Sequence, residues 1–122
     1  MRCDRILERE KRQNYDCIKG AVLAKIATIK TGLPRLQVDF TENPAWWFDV
    51  RNPLLCGATV TVTMSQDGAA LFIEVQRNRN PDAVARSTVR VVVKGDDTCF
   101  EYNGRMVTPL EAADIILLPV LE

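Results

Sequence analysis

The sequence predicts an α+β fold, a curved antiparallel sheet of about five to six strands with a long N-terminal helix and a short C-terminal helix packed on one face. Three observations predict it. Apolar and polar residues alternate at period two through most of the stretch from Ala58 to Tyr102. Short turn signals such as Asp67-Gly68 and Asn103-Gly104 separate the alternating runs, which favours antiparallel neighbours. Apolar residues recur at three- and four-residue steps at both ends of the chain. A chain of 122 residues fits one domain, 1–122, and can bury enough apolar surface to fold without staples.

The first helix is expected from about Arg5 to Thr31. Glu8 to Asn14 is entirely polar, so residues 1–14 read as a solvated helical arm or a frayed end. From Tyr15 onward, Tyr15, Ile18, Val22, Ile26 and Ile29 line one face, widened by Cys17, Ala21 and Ala24. Lys30, Gly32 and Pro34 form a stop signal. Leu36, Val38 and Phe40 then alternate with Gln37, Asp39 and Thr41 as a half-buried strand, broken at Glu42-Asn43-Pro44. Ala45 to Val50 is a second short strand with Trp46, Phe48 and Val50 on one side, and Leu54 to Gly57 an irregular connection.

The pattern then sharpens. Val60, Val62 and Met64 alternate with Thr59, Thr61 and Thr63. Leu71, Ile73 and Val75 face one way, and Phe72, Glu74 and Gln76 the other. Arg77 to Asp82 reads as a loop, with one helical turn over Asp82 to Arg86. Val89, Val91 and Val93 begin another pair that turns at Gly95-Asp96-Asp97 into Thr98 to Tyr102. Asn103-Gly104 suits a type I′ turn, whose two central residues need positive φ, and Arg105 to Val107 can pair back. Thr108-Pro109-Leu110-Glu111 is a capping box with proline at the first helical position. The helix that follows is apolar most of the way round, and Pro119 ends its densest apolar patch, Ile115 to Leu118.

Composition excludes several classes of function. The chain has no histidine, so Ser-His and Cys-His nucleophiles and histidine-bound metals are absent. It has no glycine-rich phosphate loop and no metal-ligand spacing, and no cofactor is expected. Sixteen basic and sixteen acidic residues cancel, which gives no global pull toward nucleic acid or an anionic membrane. Cys3, Cys17, Cys56 and Cys99 contain no Cys-x-x-Cys pair and fit reduced thiols in a cytoplasmic setting. No run approaches the ~18 apolar residues of a membrane span.

Three groups of residues remain as candidates. Trp46-Trp47-Phe48 places two tryptophans on opposite faces of a strand, so one of them is expected at a groove or partly exposed surface, unless the loop Arg51 to Gly57 covers it. Ile115, Ile116 and Leu118 exceed what a single stripe on a sheet requires, which fits either a homodimer or a helix wedged between the first helix and the sheet. Arg77, Arg79, Arg86 and Arg90 group around one expected loop, a basic surface without stacking aromatics. The carboxylates Asp39, Asp49, Glu74 and Glu101 fall on or near strands, where two could converge for acid–base work or oppose Arg90, Lys94 and threonines across strands.

The order helix, strands, helix resembles the helix-plus-twisted-sheet layout of type III secretion chaperones and related small adaptor proteins. The resemblance covers the order of elements and not particular residues. It implies dimerisation and the binding of extended peptide segments. The leading expectation is a small non-enzymatic protein-binding module (an adaptor, chaperone-like protein or inhibitor) that uses apolar and aromatic surface and forms a homodimer. A small-ligand binder or enzyme with a pocket between sheet and first helix, lined by Trp46, Phe48 and Asp49, is the alternative. A nucleic-acid binder through the Arg77–Arg90 loop is the third.

Overall fold

The computed structural model describes residues 2–29, 36–41, 46–94 and 97–121. Its order is α1 (Arg2–Ile29), β1 (Gln37–Thr41), β2 (Trp47–Arg51), β3 (Ala58–Met64), β4 (Ala70–Arg77), β5 (Asn80–Lys94), β6 (Asp97–Tyr102), β7 (Arg105–Val107) and α2 (Pro109–Leu121). The seven strands form one antiparallel sheet in the order β1-β2-β3-β4-β5-β6-β7, so every neighbour in space is a neighbour in sequence. Among the described residues the sheet has seven strands, where about five to six were expected. The short β7 is a full member, because Phe100–Val107, Glu101–Met106 and Tyr102–Arg105 are in register. The signals at Lys30–Gly32–Pro34, Glu42–Asn43–Pro44 and Gly95-Asp96 lie outside the described residues.

One face of the sheet holds the core. Cross-strand rows run Phe40–Phe48–Val62–Ile73, Val38–Val50–Val60–Val75 and Met64–Leu71–Val89. Both helices lie over this face. Tyr15, Ile18 and Val22 from α1, and Ala112, Ala113, Ile116, Leu117 and Val120 from α2, complete one buried cluster with these strands. The three- and four-residue steps seen in the sequence produce this because helical side chains at those spacings stack on one face.

Several polar contacts fix the helices in place. The Tyr15 hydroxyl lies 3.2 Å from the carbonyl oxygens of both Thr41 and Trp47, so its one proton is shared between β1 and β2. Its ring packs 5.1 Å from Trp46 and edge-on to Phe40 and Phe48. Asn14 was grouped by sequence with the solvated arm, yet it is buried. Its Nδ2 donates to the Gly68 carbonyl at 3.1 Å, and its Oδ1 accepts from the Thr98 hydroxyl at 3.4 Å. The arm is therefore docked in its last turn, where a polar side chain satisfies backbone from the β3–β4 turn. Gly68 is required there, since its φ is +73° and a Cβ would stand 2.8 Å from Lys11 Cγ. In the same turn Asp67 accepts from the Ser65 hydroxyl and the Ala69 amide, which hold its carboxyl below the usual range.

The β6–β7 turn has φ of +53° at Asn103 and +78° at Gly104, as a type I′ hairpin demands. The capping box also forms. Glu111 N donates to Thr108 Oγ1 at 3.1 Å, and Thr108 N donates to Glu111 Oε1 at 3.0 Å. α2 continues through Pro119 to Leu121. A proline this close to the end removes a single helical hydrogen bond, and Asn52 Nδ2 donates to the Val120 carbonyl at 3.1 Å, supplying a donor that the helix end lacks. Asp82 to Arg86 is not a helical turn and Arg77 to Asp82 is not a loop. β4 and β5 meet through a tight Asn78-Arg79 turn, and β5 runs for fifteen residues. Asn78 secures this turn by donating from Nδ2 to the carbonyls of Asn52 and Leu54.

Candidate functional site

Neither helix covers the second face of the sheet, and the alternation of β1 to β6 places a defined set of residues on it. One row runs Thr41–Trp47–Thr63–Phe72–Thr88. The next runs Asp39–Asp49–Thr61–Glu74–Arg86, and the third Gln37–Arg51–Thr59–Gln76–Val84. Toward β7 the row is Ala70–Arg90–Glu101–Met106. The threonines, Glu74, Gln76, Arg90 and Glu101 thus occupy the face their sequence parity assigns.

Trp47 and Phe72 share a row and stand two strands apart, about 10 Å at ordinary strand spacing. Trp47 is half-buried and Phe72 is 46% exposed. Thr63 separates them, so a short side chain lies between the two aromatic residues. Phe72, Glu74, Arg86 and Thr88 also line a shallow depression of about 340 Å³. Phe72 was not singled out by sequence. Its parity put it opposite Leu71 and Ile73, but only strand register places it beside Trp47.

The charged groups of this face are matched to one another. Arg51 reaches Asp39 Oδ2 at 3.1 Å and Asp49 Oδ2 at 3.6 Å. Arg86 meets Glu74 at 3.3 Å, and Arg90 meets Glu101 at 3.4 Å. Asp39 and Asp49 do converge, as directly paired residues of β1 and β2, but a guanidinium sits between their carboxylates. Like charges directly opposite are thereby neutralised. Among the described residues, no three of the Asp, Glu and Cys side chains come together as a metal site.

The remaining candidates separate. Phe48 and Ile116 are core residues, 1% and 0% exposed, so their side chains belong to the fold and offer no surface. Trp46 packs on Tyr15 with Arg12 5.9 Å above its ring, on the helix side. Ile115 is half-buried against the core, and only Leu118 of the α2 trio stands out, 59% exposed. The basic loop is dissolved by the structure. Arg77 ends β4, Arg79 sits in the turn, and Arg86 and Arg90 lie along β5. The extended run from Arg79 to Arg90 spans roughly 36 Å at ordinary strand rise.

Between the sheet and α1, Tyr15, Ile18, Val22 and Phe48 belong to the buried core, and Asp49 points to the opposite face from Phe48, so Phe48 and Asp49 do not line one pocket. The described depressions lie elsewhere. One, of about 380 Å³, is lined by Tyr102, Asn103, Arg105, Val107, Glu111, Asp114 and Ile115. Another, of about 440 Å³, runs along Val75, Ala83, Val84, Ala85 and Pro119 between the β4–β5 hairpin and the end of α2.

Cys17, Cys56 and Cys99 are unpaired thiols. Burial, and the nearby Cys99, push the Cys17 thiol up, which makes it a weaker nucleophile at neutral pH. Among the described residues no helix is long and apolar enough to cross a membrane. No family model, curated protein or solved structure matches the chain.

Proposed function

We propose that this is a non-enzymatic protein-binding module whose recognition surface is the uncovered face of the sheet. One observation carries the reading: Trp47 and Phe72 flank Thr63 on a face that neither helix covers. Aromatic anchors on a rigid sheet lose little conformational entropy when they bind, and they dominate the energetics of protein interfaces. The ion-paired rows beside them offer alternating donors and acceptors, which suits a mixed polar and apolar protein surface. Nucleic acid fits less well, because Arg51, Arg86 and Arg90 already face carboxylates and the field of the patch is near neutral.

Site-specific photo-crosslinking tests this. A photoreactive phenylalanine at position 72 is expected to capture a discrete protein, and the same probe at Leu23 on α1 to capture none. Trp47→Ala should abolish the adduct while leaving circular dichroism unchanged. Adducts from position 23 and none from position 72 would refute the reading.

A further inference from the structure

We infer that residues 80–88 of β5 form a self-complementary edge that pairs antiparallel with the same segment of a second copy of this chain. β5 has two halves with different neighbours. Residues 90–94 pair with β6, so this half is interior to the sheet. Residues 80–88 have β4 on one side, and among the described residues no strand lies on the other. The β4 register steps from Gln76–Val84 to Arg77–Asn80, so 81–83 also lack a strand partner on β4. There the Pro81 carbonyl accepts from Gln76 Nε2 at 2.7 Å. An edge of this length with open backbone donors and acceptors is a template for another strand.

The side chains say which strand. The segment reads Asn80-Pro81-Asp82-Ala83-Val84-Ala85-Arg86-Ser87-Thr88. Centred on Val84, antiparallel pairing with a second copy sets Val84 beside Val84 and Ala83 beside Ala85. It also sets Asp82 of each copy beside Arg86 of the other. Opposite charges meet twice about one two-fold axis, as an isologous interface requires. Asp82 is exposed and has no ion-pair partner among the described residues. Arg86 touches Glu74, yet its side chain is 70% exposed, and a guanidinium has further donors for a second carboxylate. Ala83 and Ala85 line the depression of about 440 Å³ with Val75 and Pro119, and their short side chains let a second backbone approach. A two-fold axis perpendicular to the sheet would leave the Trp47–Phe72 patches of both copies on the same side. This inference does not depend on the proposed role of that patch.

Charge reversal tests it in sedimentation equilibrium on the full chain. The wild type is expected to dimerise with a Kd on the order of micromolar, given the small area of an edge contact. Asp82→Lys alone, or Arg86→Glu alone, places like charges together twice and should weaken association at least about tenfold. An equimolar mixture of the two variants should regain it. In the mixed dimer the introduced lysine of one chain meets the introduced glutamate of the other, and the remaining native Arg86 meets the remaining native Asp82. Circular dichroism of each variant checks that the fold persists. Phe72→Ala should leave self-association unchanged, which separates this test from that of the uncovered face. A wild type that stays monomeric to about 500 μM overturns the inference. So does a dimer indifferent to both reversals, or a mixture that fails to recover.

Discussion

The two faces of the sheet are built on the same strands and differ in what stands above them. On the covered face, Phe48, Val60, Val62, Leu71 and Val89 are at most 1% exposed and belong to the cluster that both helices complete. On the uncovered face, residues one position away carry threonines, arginines and carboxylates, with Phe72 open to solvent. Core packing and the proposed recognition surface thus occupy alternate positions of the same strands. A change at one position should therefore move one property and spare the other.

Five measurements test this separation, in descending order of expected effect. Phe48→Ala removes a ring from the close-packed side and should cost about 3–5 kcal/mol in urea unfolding. Phe72→Ala, on the other side of the neighbouring hairpin, should cost no more than about 1 kcal/mol. Equal losses would mean that the uncovered face is part of the core. Next, Asn52→Ala should cost about 1–3 kcal/mol, because the buried Val120 carbonyl and the partly buried Leu54 amide both lose their partner. A cost near zero would show that α2 holds its place over the sheet without this tie.

Smaller still, Thr108→Ala should cost about 1 kcal/mol through the lost cap. The same cap has a pH signature. Hydrogen bonds from the Thr108 amide and hydroxyl hold the Glu111 carboxyl below its ordinary value of 4.5. The folded value is the depressed one, so this contribution is complete above the ordinary value and is lost as pH falls through the folded value. Stability measured between neutral pH and pH ~3 should therefore fall less steeply in Glu111→Gln than in the wild type. The smallest expected effect is Arg86→Ala, an exposed pair on the uncovered face, at no more than about 0.5 kcal/mol. A large loss there would mean that the charged rows stabilise the fold.

Much of the covered face was legible in the sequence, because period-two alternation and helical three- and four-residue spacing report burial directly. Asn103-Gly104 and the Thr108–Glu111 box were legible for a related reason, since positive φ and orphan helix amides admit few side chains. β5 was not. Pro81 and the polar run around it mimic a loop, and what makes the segment a strand is its ladder to β4, together with the clamp of Asn78 on Asn52 and Leu54. Asn14 was missed because its partners lie 54 and 84 residues away. Trp47 was legible as facing away from Trp46, Phe48 and Val50, whereas its place in one row with Phe72 required the register of β3 between them.

Sequence alone set most of the elements other than the first half of β5, the turns at Asp67-Gly68 and Asn103-Gly104, and which residues of most strands share a face, since these follow from local geometry and the avoidance of buried polar groups. Tertiary structure alone decided that α2 closes over the core with Ile116 inside, that four arginines disperse along a hairpin instead of clustering, and that Trp47 and Phe72 share a row with Thr63 between them. Those outcomes depend on which strands pair and in what register, and on which surface the helices come to cover. Such pairings are set by the free energy of the whole packed chain, which no short window of residues contains.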